Sequence, residues 1–253
     1  MRERIKVAAA TLTTFVALIC VWRAAIWMFE LPPHILPPPS AVADALARGW
    51  IEGLFWRHAG YTLWGAMSGL ALGALFGVLV GVLAAETRIA RLAIYPLVIA
   101  IQSMPTIAIA PLIVVYLGTG LTSKVATVAL LCFFPVFVNT VAGIAGADQR
   151  LLDLYRTSSA SRWRMLIDVK LPSALDQILA SLQIVVVLSL VGCVVSEFVA
   201  AAAGLGYVIK LFANELNVEI MFAAIISLAA IGATLGASVL YAQRKIIFWR
   251  GVD

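Results

Sequence analysis

Apolar residues along this chain fall into six stretches long enough to cross a hydrocarbon core, and polar residues collect between them. One helical crossing takes about 20 consecutive apolar residues. The pattern predicts spans at 7–29, 61–85, 92–116, 125–147, 175–202 and 220–243. The expected fold class is all-α: a polytopic membrane protein of about six transmembrane helices, with residues 1–253 in a single transmembrane domain. Arg23 stands close enough to the end of the first span for its long stem to reach the interface. A signal peptide over residues 1–20 is the competing reading of that segment. The apolar run continues to Trp27 with no clear small-residue cleavage site, which argues against it. The third span is interrupted by Pro96, Pro105 and Pro111. Between the first two spans, LPPHILPPPSAVADAL begins as stiff, extended proline backbone. It then reads as a helix start with Ser40 as N-cap.

Composition supports the membrane reading. The chain is 63% hydrophobic and only 12% charged, about half the charge of a soluble domain. The formal net charge of +5 is read as topology and lipid contact rather than as nucleic-acid binding, since no basic run interleaved with aromatics is present. With the N-terminus placed in the cytoplasm, thirteen basic residues fall inside: Arg2, Arg4, Lys6, Arg88, Arg91, Arg150, Arg156, Arg162, Arg164, Lys170, Arg244, Lys245 and Arg250. Five fall outside or at outer span ends: Arg23, Arg48, Arg57, Lys124 and Lys210. The positive-inside rule then sets both termini in the cytoplasm. Cys20, Cys132 and Cys193 lie in apolar segments and read as small buried hydrophobes. His34 and His58 flank the outer loop; a metal pair there is the minor reading, and no metal site is expected.

Glycine recurs every fourth residue at Gly65, Gly69, Gly73, Gly77 and Gly81. That ridge predicts a close helix crossing, either within the bundle or between subunits. Polar residues inside the spans mark a candidate substrate pathway: Gln102, Ser103 and Thr106 around Pro105, Asn139 in the fourth span, and Gln183 in the fifth. Broken backbone at membrane depth must line protein or a wet cavity. For Gln102, Asn139 and Gln183, hydrogen bonding between helices is the alternative role. Apart from Asp176 at a span edge, Glu197 is the one carboxylate in a predicted span, and it lies toward the outer end. With Gly204 and Gly206, which permit a tight turn, it reads as an outer gate.

The chain carries no motor of its own. GTGLTSK at 118–124 lacks the glycine before Lys124 and the Ser or Thr after it that a P-loop requires, and it reads as a short outer turn. No chain of buried acids suggests a proton relay, and no nucleophile–base pair suggests catalysis. The longest cytoplasmic loop, 148–172, starts as an amphipathic helix at about 149–158 with Leu151, Leu152, Leu154 and Tyr155. TSSAS breaks it, a second helix follows, and Pro172 closes the loop. Such a loop serves either as a docking surface or as a basic segment on anionic headgroups.

At these residues the chain resembles the permease subunits of bacterial binding-protein-dependent ABC importers. Their cytoplasmic signature is E-A-A, three residues, G, nine residues, I-x-L-P. Val169-x-Leu171-Pro172 matches its end, which places Ser159 at the glycine and Asp153-Leu154-Tyr155 at E-A-A. LPPPSAV, PLIVVYLGTGLTSKV, FFPVFVNTVAGI and SEFVAAAAGLGYVI are similar to the branch that imports sulfonates, taurine, nitrate and thiamine or riboflavin precursors. The resemblance implies a type I importer permease fold in the inner membrane and a coupling set of Asp153, Leu154, Tyr155, Ser159, Ala160, Arg162, Trp163, Leu171 and Pro172. It implies a homodimer, two copies of an ABC ATPase that hold the ATP and Mg, and a periplasmic solute-binding protein. This chain would bind no cofactor. The solute would be a small organic anion or heterocycle. A secondary transporter or an energy-coupling permease of another class is the alternative. With Ser159 at the glycine position, the turn must avoid positive φ or carry modest strain.

Overall fold

Small residues decide where the helices of this chain meet. The computed structural model describes residues 2–246, and its regular elements are helices. α1 (Arg2–Phe29), α2 (Pro39–Ile51) and α3 (Leu54–Glu86) are followed by α4 (Arg88–Gln102), α5 (Thr106–Leu117) and α6 (Leu121–Ala145). The polar loop holds α7 (Gln149–Thr157) and a single-turn α8 (Arg162–Met165). A π-helical turn, Leu166–Lys170, leads into α9 (Leu171–Ala200), then α10 (Leu205–Asn214) and α11 (Val218–Ile246). Arg250, one of the basic residues assigned to the cytoplasm, lies outside the described residues.

α3 and α6 run parallel, and the glycine ridge is where they touch. A Cβ added to Gly69 would lie 2.4 Å from Val128 Cβ, one on Gly73 2.5 Å from the Ala129 carbonyl oxygen, and one on Gly77 2.9 Å from that of Phe133. Those gaps admit hydrogen only, so the ridge is an internal crossing. α9 packs antiparallel against α6, again through small residues: Gly143 faces Ala174, and Gly192 faces Leu131. Ala66, Val128, Cys132, Val136, Val185 and Cys193 fill the space between the three helices. Cys132 and Cys193 are thus buried and Cys20 is exposed. Among the described residues no cluster of three metal-ligating side chains occurs.

Five helical runs are long and apolar enough to span a membrane: Ala9–Phe29, Leu54–Glu86, Leu121–Ala145, Arg162–Ala200 and Val218–Gln243. The sixth expected span, 92–116, is not one helix. It is the α4–α5 pair, bent by 102°. The break sits where the Ser103 hydroxyl turns back to the Ile99 carbonyl, and Pro105 provides no N–H and disfavours helical backbone at Met104. Pro96 and Pro111 remain inside their helices.

Pro172 does not close the loop either. The helical run is continuous over 39 residues from Arg162 to Ala200. Pro172 stands inside this run, where it has no N–H for the helical ladder, and the π turn Leu166–Lys170 immediately ahead of it takes up the mismatch. The π turn adjusts the carbonyls ahead of it: Leu171 N–H donates to the Leu166 carbonyl, and the Ser173 hydroxyl donates to that of Val169.

Three helices stop in the same way on residues other than glycine. Glu30, Ser159 and Leu216 have φ of +48°, +55° and +58°. The following N–H reaches back to the carbonyl five residues earlier: Leu31 to Ile26, Ala160 to Tyr155, and Asn217 to Phe212. This is a Schellman stop, whose left-handed position favours glycine.

Candidate functional site

The polar loop projects from one end of the bundle. Asp148 caps α7 by accepting from Arg150 N–H, and Ser161 caps α8 by accepting from Arg164 N–H. One face of α7 roots the loop: Leu152 is buried with Ala147 and Val169, with Tyr155 and Met165 packed against them. The opposite face is bare. Leu151, Leu154 and Trp163 are exposed, with exposed ion pairs beside them, Asp153–Arg156 at 2.9 Å and Arg164–Asp168 at 3.4 Å. Leu154 and Tyr155, neighbours in the coupling set, therefore divide: Leu154 is exposed and Tyr155 packs on its own chain. Ser159 takes positive φ, so the strained alternative is the one adopted. Leu154, Tyr155, Ser159, Ala160 and Arg164 line an open cavity of about 590 Å³ at the turn. At this same end Lys170 Nζ lies 2.5 Å from Glu86 Oε1 and ties the π turn to the end of α3.

The polar residues within the spans do not converge. Gln102 and Ser103 are exposed at the end of α4. The Thr106 side chain lies outside the described positions. Asn139 donates back along α6 to the Pro135 carbonyl at 2.8 Å. Gln183 bonds to Gln243, so it bridges α9 and α11.

The opposite end of the bundle holds a buried polar cluster. Glu197 is fully buried in the last turns of α9. Its Oε1 lies 2.7 Å from Lys124 Nζ and accepts from Thr62 Oγ1 at 2.9 Å. Its Oε2 accepts from Gly206 N–H at 2.7 Å. Lys124, expected in an exposed outer turn, is 3% exposed inside α6, which begins at Leu121. A charge in such a place stands only if it is paired. Glycine makes the room. A Cβ on Gly65 would lie 2.3 Å from Lys124 Cδ, and one on Gly204 2.1 Å from the Glu197 carboxyl. Gly204 also has φ +127°. The structure thus joins Glu197, Gly204 and Gly206, as the outer-gate reading had grouped them.

Sequence reasoning missed Thr62, His58 and the burial of Lys124. One signal was present: His58, Thr62 and Gly65 are spaced i, i+4, i+7 and share a face. Cys193 and Glu197 are likewise four apart.

Comparison with known proteins fits this architecture. Residues 77–248 match the family described as "Binding-protein-dependent transport system inner membrane component". The riboflavin transport system permease protein of Chloroflexus aurantiacus is 34% identical over 93% of this chain and 88% of its own length. The formylaminopyrimidine transport permease protein of Halalkalibacterium halodurans is 31% identical over 93% of this chain and 94% of its own. Among solved structures, an inward-facing form of the MetNI methionine ABC transporter aligns with a TM-score of 0.66 at 19% identity, covering 74% of this chain and 93% of that one. With its all-helical bundle and paired polar ends, the chain belongs to the inner-membrane permease family of binding-protein-dependent ABC importers.

Proposed function

We propose that this permease works as a homodimer on two ABC ATPase subunits, which supply the ATP and Mg chemistry, and receives its solute from a periplasmic binding protein. The chain itself would hold no cofactor. The loop 148–172 is the coupling element and faces the cytoplasm, as do both termini. One observation carries this reading: Leu151, Leu154 and Trp163 are exposed and ringed by charge on a loop whose other face is anchored in the core. Apolar anchors with a charged rim are what a docking interface uses, and one such anchor contributes about 2 kcal/mol or more. The test is co-purification of the ATPase with Leu154→Asp and Trp163→Ala, singly and together. Loss of ATPase from a permease that still elutes as a folded species is the expected result. Full association in the double variant would assign the loop to the lipid surface.

The solute is a small heterocycle or organic anion. Two relatives at 34% and 31% identity are named for riboflavin and formylaminopyrimidine, both nitrogen heterocycles. Gln102, Ser103, Thr106 and Asn139 are proposed to line its path, while Gln183 serves the α9–α11 contact. Glu197, Gly204 and Gly206 form the outer gate. Identifying the solute held by the partner binding protein tests the substrate class directly. A metal ion or a large peptide there would overturn it.

A further inference from the structure

Three consecutive backbone N–H groups open α10, and each is received by a side chain from another helix. Gly204 N–H donates to His58 Nδ1 at 3.0 Å, Leu205 N–H to Thr62 Oγ1 at 2.9 Å, and Gly206 N–H to Glu197 Oε2 at 2.7 Å. These are among the orphan donors that a helix start leaves unpaired. A local N-cap residue ordinarily satisfies one of them. Here Gly204 has no side chain to do so, and α3 and α9 supply the acceptors instead. The His58 ring accepts at Nδ1, so it is neutral with its proton on Nε2, and it stacks on Tyr207 of α10. The Thr62 hydroxyl works in both directions: it accepts from Leu205 N–H and donates to Glu197. Farther along α10, Lys210 Nζ donates to the Phe198 carbonyl of α9 at 2.6 Å.

We propose that Lys124 and Thr62 are positioning residues of the outer gate: acting through Glu197, they cap α10 from outside and make it part of the rigid α3–α6–α9 body. The charge argument is direct. Glu197 must present a carboxylate oxygen to Gly206, and a buried carboxylate without a cation would be strongly unfavourable. Lys124, threaded past Gly65, supplies that cation from α6. Thr62 orients the carboxylate and holds the adjacent N–H. α10 therefore moves with the body that carries the coupling loop, since the run Arg162–Ala200 ends three residues past Glu197. The consequence for transport rests on the proposed outer-gate reading. The capping itself does not, and it is tested without solute or ATPase.

The test is hydrogen exchange of the full chain in lipid nanodiscs, read on peptides covering 204–214. In Lys124→Met, exchange at Leu205 and Gly206 should rise at least about tenfold, as a buried charge loses its partner. In Lys124→Met/Glu197→Gln it should return close to the wild-type rate, because the amide oxygen still accepts from Gly206 and no charge is left alone. Thr62→Val should raise exchange at Leu205, and Thr62→Ser, which keeps the hydroxyl, should not. Unchanged protection in Lys124→Met would overturn the proposal, as would a double variant no better than the single. If Lys124→Met does not assemble, equal protection in Thr62→Val and Thr62→Ser would overturn it alone.

Discussion

Ser159 holds φ +55° at the stop of α7, a conformation that costs a residue with a Cβ roughly 1–2 kcal/mol. Ser159→Gly removes that cost without removing a backbone bond, since Ala160 still reaches Tyr155. Stability should rise by about 1 kcal/mol, or about 2–4 °C in thermal midpoint for a chain of this size. A scan of the purified permease that shows no rise would mean the turn relaxes in solution. Gly204→Ala should act the other way and more strongly, because the new methyl would collide with the Glu197 carboxyl. Single residues were read from the sequence unevenly. Glu197 was legible because a carboxylate stands out in an apolar run. Lys124 was not, because a lysine beside such a run looks like its boundary. Its partner lies 73 positions away, and only the packed fold brings the two together.

At the scale of elements, glycine spacing was a reliable guide and proline was not. The period of four in α3 foretold a close crossing, and α6 provides it. Gly73→Leu should therefore prevent α3 from seating and sharply reduce the yield of monodisperse protein. Gly60→Leu, on the exposed face of α3 where nothing lies within 4 Å, should leave the yield unchanged. Equal yields would refute the crossing. The prolines gave no such guide. Pro96, Pro105, Pro111 and Pro135 look alike in the sequence, yet only Pro105 marks a break, where Ser103 has already turned back on its own helix. Pro172 misled in the opposite sense: it looks like the end of a loop, yet the helix runs through it, with a π turn just ahead.

For the whole molecule, the two polar ends define a direction. One carries the loop with Leu154 and Trp163, the other the Glu197 cluster, and α9 runs between them. The thirteen-to-five split of basic residues predicts that the loop end faces the cytoplasm. Ser158→Cys should react with an impermeant thiol reagent from the cytoplasmic side only, and Glu215→Cys from the outside only. The reverse pattern would invert the orientation.

The parallel pairing of α3 with α6 also bears on how the chain is made. Lys124 follows Gly65 by 59 positions in the sequence, so at about 10 residues per second α3 waits roughly 6 s for its partner to be synthesised. During that interval a bare glycine face lies in lipid, open to any other helix with small residues, including the α3 of a second nascent copy. A fragment carrying α3 without α6 should therefore self-associate through this face and lose that association with Gly73→Leu. In the finished protein α6 occupies the face and rules out the pairing.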